Sequence, residues 1–156
     1  MAGSFAPSAS LRGLAWGIDG VGLIVASALL TVLYFRHGYD IIAAGFLVLA
    51  VGEGLVIAGA AAEPAASVPA FAAGAGLWSA ALALISLPRV FPAVVRALGL
   101  IASVLFAAFA LQVFAGQHLS SLSAPLPFYA YPFFVATIFG WVWVLLRAGV
   151  KSRPAP

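Results

Sequence analysis

Residues 41–62 read IIAAGFLVLAVGEGLVIAGAAA, an apolar run with one carboxylate, Glu53, held between two glycines. The run does not alternate, as a membrane β-strand of roughly 10 residues would. It matches the length of about 20 apolar residues that a helix needs to cross the hydrocarbon layer. The stretch therefore reads as a membrane span. Comparable runs occupy 14–35, 66–87, 90–114 and 126–146. The separators are turn-like: RHGYD (36–40), AEPAAS (62–67), PR (88–89) and the longer AGQHLSSLSAPLP (115–127). Short connections place successive spans side by side and antiparallel. The expected fold is all-α: a five-transmembrane-helix bundle forming a single integral membrane domain over 1–156.

Composition agrees. Hydrophobic residues make up 65% of the chain and charged residues only 7%, where a soluble domain carries about a quarter charged. Mean hydropathy is +1.17. With no cysteine, disulfides, thiolate metal sites, iron–sulfur clusters and cysteine nucleophiles are excluded. The net charge of +3 comes without a basic aromatic surface, so no nucleic-acid partner is expected. The opening MAGSFAPSASLRGLAWGIDG has no basic segment after Met1, and the apolar stretch behind it is long enough to span, so the first span is expected to be retained.

The basic residues sort by side. Five spans put the chain ends on opposite faces. Arg12 falls on the first face; Arg36, Arg89, Arg96, Arg147, Lys151 and Arg153 fall on the other. The positive-inside rule makes the N-terminus out and the C-terminus in. An alanine-rich chain of this kind is expected in the inner (cytoplasmic) membrane of a bacterium. Trp16, Phe128, Tyr129 and Tyr131 then lie near the outer interface, and Tyr34, Tyr39, Trp141 and Trp143 near the inner one, the depth that amphipathic rings prefer. Trp78 falls mid-span and is expected to pack on small residues of a neighbour. Span number and orientation resemble the tryptophan-rich sensory protein family. That family's Trp- and Pro-rich first loop is replaced here by RHGYD, so the resemblance implies architecture alone.

Small residues recur every fourth position in span 2 (Ala50, Gly54, Ala58, Ala62) and in span 3 (Ala72, Gly76, Ala80). Such spacing lets helices approach closely, which predicts spans 2 and 3 as the tightest pair through these faces. GLAWG (13–17) repeats the pattern in span 1. In span 4, Arg96, Gly99, Ser103, Ala107 and Ala110 form one small or polar stripe, leaving Phe91, Leu98, Leu105 and Phe109 to lipid. Pro132 can kink span 5 where it removes a backbone donor.

The ionisable residues decide where function is sought. Glu53 lies roughly 18 Å from the inner end of span 2, and Asp19 about 6 Å further out. A carboxylate at such depth costs at least ~2.5 kcal/mol, so it marks either a proton or cation site, with Asp19 as outer relay, or polar glue between helices or to a partner. Arg96 and Asp40 are candidates for an ion pair or lipid-headgroup contacts. His37 and His118 fall on opposite faces and cannot share one haem or metal; His118, beside Gln117, is a possible outer-loop contact. No nucleophile elbow, zinc-protease or phosphate-loop motif is present, so no enzyme activity, cofactor or metal is expected. The expected function is non-catalytic, as an accessory or assembly subunit of a larger membrane complex. The alternative is a small oligomeric transporter or channel for a proton, cation or small solute using Glu53. Expected partners are membrane lipids and other membrane subunits, or further copies of the chain.

Overall fold

The computed structural model describes residues 9–60, 64–117 and 126–151. They form five helices: α1 (Ala9–Arg36), α2 (Asp40–Ala60), α3 (Pro64–Ser86), α4 (Ala93–Phe114) and α5 (Leu126–Lys151). Each is long and apolar enough to cross a membrane. Two of the turns are set by glycine. Gly38 takes φ +76° and Gly116 takes φ +80°, a left-handed conformation that only glycine adopts cheaply. Around Gly38, Gly38 N–H donates to Phe35 O (3.0 Å) and Tyr39 N–H to Tyr34 O (3.0 Å). Gly116 and Gln117 repeat the arrangement on Val113 O and Gln112 O. Both are Schellman closures, which satisfy the carbonyls a helix end leaves open.

Each helix packs on the next one in sequence. Among the described residues, no Cα of α5 lies within 8 Å of α1, α2 or α3. The arc nevertheless curls round, because rings bridge what backbones do not. Phe46 of α2 meets Trp141 of α5 at 5.0 Å between centroids. Trp78 of α3 meets Phe106 of α4 at 5.2 Å and Phe134 and Tyr131 of α5 at 5.3 and 6.1 Å. Tyr34 of α1 stacks on Phe46 (5.5 Å) and meets Phe91 (5.8 Å), which in turn reaches Trp141 (6.2 Å).

These contacts correct the sequence reading of several aromatics. Tyr34 and Trp141 are buried centre-fillers instead of interfacial anchors, Tyr131 is half-buried against Trp78, and Phe91 and Phe109 are buried instead of lipid-facing. Small residues draw α2, α3 and α4 together on one side of the arc, so the opposite side is wide and needs large rings to close it. Trp16, Tyr39 and Trp143 do remain exposed, and Arg147 lies over the Trp143 ring at 4.2 Å.

The α2–α3 pair is the most extensive contact, but through a different face from the one the four-residue spacing indicates. The buried notches are Gly45, Gly52 and Gly59, seven apart. A Cβ on Gly52 would stand 2.9 Å from Trp78 Cδ1, 3.0 Å from Leu77 Cβ and 3.1 Å from Gly74 O. Gly74 returns the fit, with its own Cβ position 2.9 Å from Gly52 O. By contrast Ala50 is half-buried, Ala58 is exposed and Gly54 has no neighbouring atom within 4 Å of a Cβ. Gly76 faces Ala110 of α4, at 3.6 Å. Steps of four drift about 40° round a helix, while steps of seven drift only about 20° and stay on one seam. On α4 the small-residue stripe does face α3: Ser103 Oγ donates to Ser79 O at 2.8 Å, and the two hydroxyls lie 3.2 Å apart. Pro132 lies inside α5, as Pro69 does inside α3.

Candidate functional site

Glu53 points at its own chain. Its side chain is only 8% exposed. A Cβ on Gly20 of α1 would stand 2.9 Å from Glu53 Oε1, so the carboxyl fits against α1 only where α1 has no side chain. Gly20, Ser27 and Tyr34, again seven apart, are the buried positions of α1. That seam fixes Asp19, the preceding residue, within Coulombic range of Glu53. Asp19 is itself exposed. The two acids the sequence singles out thus lie on facing helices, Glu53 against Gly20 and Asp19 next to Gly20 in the chain.

The level of Glu53 on α5 follows from the ring contacts. Phe46 lies against Trp141. Seven residues along each antiparallel helix is about 10.5 Å, which sets Glu53 near the level of Phe134, with Tyr131 about one turn closer to the start of α5. Tyr131 is within Coulombic range of Glu53. Trp78 of α3 packs against the α3-facing side of α2. It is 3% exposed, and its Cδ1 edge lies on Gly52, the residue before Glu53. Among the described residues its Nε1–H has no acceptor. A buried donor left without a partner costs about 1–3 kcal/mol.

The other sequence candidates lie elsewhere. Arg96 does not pair with Asp40. Its Nε donates to Ser86 O at 2.7 Å and its Nη2 to Leu87 O at 3.0 Å, so the guanidinium closes the end of α3, where a cation also complements the helix dipole. Asp40 is the exposed first residue of α2, at the end where a carboxylate is favoured. His37 Nδ1–H donates to Leu33 O at 2.7 Å; a carbonyl only accepts, so the proton is on Nδ1. His118 lies outside the described residues. Among the described residues no three His, Cys, Asp or Glu gather where they would hold a metal.

Sequence reasoning missed three members of the site: Gly20, Tyr131 and the indole N–H of Trp78. The seven-residue spacing of Gly20, Ser27 and Tyr34 carried a signal for the first. Trp78 stood apart from the other rings by its mid-span position, but nothing local in sequence marked its unpaired N–H or distinguished Tyr131. No protein family, curated protein or solved structure matches the chain, and the function is therefore argued from the site.

Proposed function

We propose that the chain is a non-catalytic, multi-pass protein of a bacterial inner membrane, N-terminus out and C-terminus in, that takes up and passes a proton at Glu53 as a small transporter or channel. The observation that carries this reading is the carboxyl of Glu53, enclosed by its own bundle at Gly20, with Asp19 within electrostatic reach. A carboxyl facing inward at this depth is a functional candidate by default. A proton suits the site better than a metal cation, because hard cations take six or more oxygen ligands and the site offers two carboxyls and a phenol.

The surroundings support one-sided access. Asp19 stands on the outer side of Glu53. On the inner side, Tyr34, Phe46, Phe91 and Trp141 form a plug of four rings in mutual contact. Passage to the inner face requires that plug to part. The basic residues of the second face support the orientation.

The test is proton flux. Purified protein is placed in liposomes carrying an internal pH dye, and a pH gradient is imposed. Wild type is expected to dissipate the gradient, Glu53→Gln to abolish the flux and Asp19→Asn to slow it. Wild type indistinguishable from protein-free liposomes, or Glu53→Gln indistinguishable from wild type, refutes the reading.

A second reading, an accessory subunit of a larger membrane complex, is favoured by α1. Its backbone packs on α2 alone, and Gly13, Leu14, Gly17, Ile18, Val21 and Gly22 line a shallow open groove on its outward side. Native purification in mild detergent with mass spectrometry tests it; a chain that always purifies alone counts against it.

A further inference from the structure

The C-terminal end of α5 carries a cation that the bundle does not use. Arg147 and Trp143 are both exposed, Trp143 at 57%. Among the described residues the backbone of α5 packs on α4 alone, so these two side chains stand on a flank open to the bilayer. The guanidinium of Arg147 lies over the Trp143 ring, 4.2 Å from its centroid. Trp143 comes four residues earlier, which is about 6 Å of helix rise. The charge is thus turned back along α5, into the last turn of the apolar span that ends at Arg147. An arginine that only snorkels extends the other way, toward water.

Two features say what such a charge needs. Inside a span a cation is costly without an opposite charge beside it, and among the described residues no carboxylate pairs with Arg147. The stack engages the face of the guanidinium. Its edge, with five N–H donors in a fixed fork, remains for an acceptor outside the bundle. That fork matches two oxygens of a phosphate. Arg96, by contrast, has its fork filled by Ser86 O and Leu87 O. We propose that Arg147 and Trp143 form a binding site for the phosphate group of an anionic lipid. The guanidinium edge donates to two phosphate oxygens, and the indole holds the guanidinium at the depth where interfacial tryptophans and headgroups meet. Trp143 is a positioning residue: it acts through Arg147. A net anionic headgroup supplies the missing counter-charge, whereas a zwitterionic one brings a cation of its own. The site is separate from Glu53 and does not rest on proton passage.

The experiment is native mass spectrometry of the purified full chain in a non-ionic detergent, titrated with phosphatidylglycerol and, in parallel, with phosphatidylcholine. Wild type is expected to bind a first phosphatidylglycerol more tightly than later ones and more tightly than phosphatidylcholine. Arg147→Gln should weaken that first binding about fivefold, the effect of one basic residue at an anionic surface. Trp143→Leu keeps an apolar surface and the arginine, and should weaken it about two- to fivefold by loss of the cation–π contact. Added to Arg147→Gln, Trp143→Leu should do nothing further, because the ring acts through the guanidinium. Arg36→Gln, at another exposed arginine on the same end of the bundle, should leave the first binding unchanged. Both substituted side chains are exposed, so the variants should keep the helical circular dichroism of wild type. First binding unchanged in Arg147→Gln or in Trp143→Leu overturns the site. Equal weakening by Arg36→Gln, the mark of general charge attraction, also overturns it. Inorganic phosphate separates the two sources of the group: lipid retained at millimolar phosphate supports the lipid site, and lipid displaced makes free phosphate the ligand and overturns it.

Discussion

The two glycines beside Glu53 are expected to respond in opposite ways to the same substitution. Alanine in place of glycine inside a helix gains about 0.5–1 kcal/mol from the backbone alone. At Gly54 nothing opposes that gain, since a Cβ there has no atom within 4 Å. Gly54→Ala should leave stability unchanged or raise it by up to ~1 kcal/mol. At Gly52 the new Cβ meets Trp78 Cδ1 at 2.9 Å, Leu77 Cβ at 3.0 Å and Gly74 O at 3.1 Å. Two of these three atoms are fixed by the backbone of α3. Relief requires α3 to slide away, which also opens the notches at Gly45, Gly59 and Gly74. Overpacking of this kind costs about 1–3 kcal/mol.

Gly52→Ala should therefore be less stable than Gly54→Ala by ~1–3 kcal/mol, roughly a 5- to 150-fold difference in the unfolding equilibrium. Reversible unfolding in mixed micelles, titrated with dodecyl sulfate, measures it. Far-UV circular dichroism follows the helices, and tryptophan emission, to which Trp78 on Gly52 contributes beside Trp16, Trp141 and Trp143, follows the packing. Gly74→Ala should behave like Gly52→Ala, because its Cβ would stand 2.9 Å from Gly52 O. If Gly54→Ala proves as destabilising as Gly52→Ala, α2 and α3 do not meet through the seven-residue glycine seam and the reasoning fails.

Arg96→Met removes two charge-assisted hydrogen bonds to the end of α3 and should lower stability by about 2 kcal/mol in the same titration, since the part-buried bond to Ser86 O contributes about 1.5–3 kcal/mol and the exposed one to Leu87 O adds little; Arg96→Lys should recover only part of it, as an ammonium lacks the fork that reaches both carbonyls. Gly38→Ala forces a side chain into φ +76° and should cost about 1–2 kcal/mol, whereas Gly22→Ala, with open space around it, should not destabilise. Phe46→Leu thins the inner ring plug and should speed Glu53-dependent proton flux in liposomes; a rate equal to wild type would show that the plug does not limit passage.

The five helices were legible because span length and apolarity are properties of each segment alone. The turns at Gly38 and Gly116 are equally local. Which face each helix presents is not local. In a chain with 16 glycines, small residues fall at four-residue spacing on several faces at once, so Ala50, Gly54 and Ala58 looked as good a seam as Gly45, Gly52 and Gly59. The aromatics were misread for a related reason. Interfacial depth and filling of a wide centre both favour large rings, and only the way the arc closes decides between them for Tyr34, Tyr131 and Trp141. Glu53 was legible as a candidate because its cost depends on depth, which sequence supplies. Its counterpart Gly20 was harder to pick out, because only the seven-residue spacing to Ser27 and Tyr34 sets it apart from Gly13, Gly17 and Gly22, which have no neighbour within 4 Å.

The position of Glu53 on α2 gives the carboxyl a particular mechanical setting. One side of α2 is locked to α3 by close glycine fits, and a side chain there would clash with fixed backbone. The side carrying Glu53 meets α1, where the atoms that a Cβ on Gly20 would meet are the far ends of Ile57 and of Glu53 itself. Those ends can turn aside; a backbone carbonyl cannot. The α1–α2 seam is therefore the compliant one at the level of the carboxyl, and α1 has no second backbone neighbour among the described residues to resist its displacement. Charging Glu53 raises its demand for polar contacts. The easiest response is a shift of α1 at Gly20 that admits water, while the α2–α3 seam and the ring plug below stay closed. In the proposed function, proton uptake and enclosure of the carboxyl would thus act on the same pair of helices, with α1 the one free to respond.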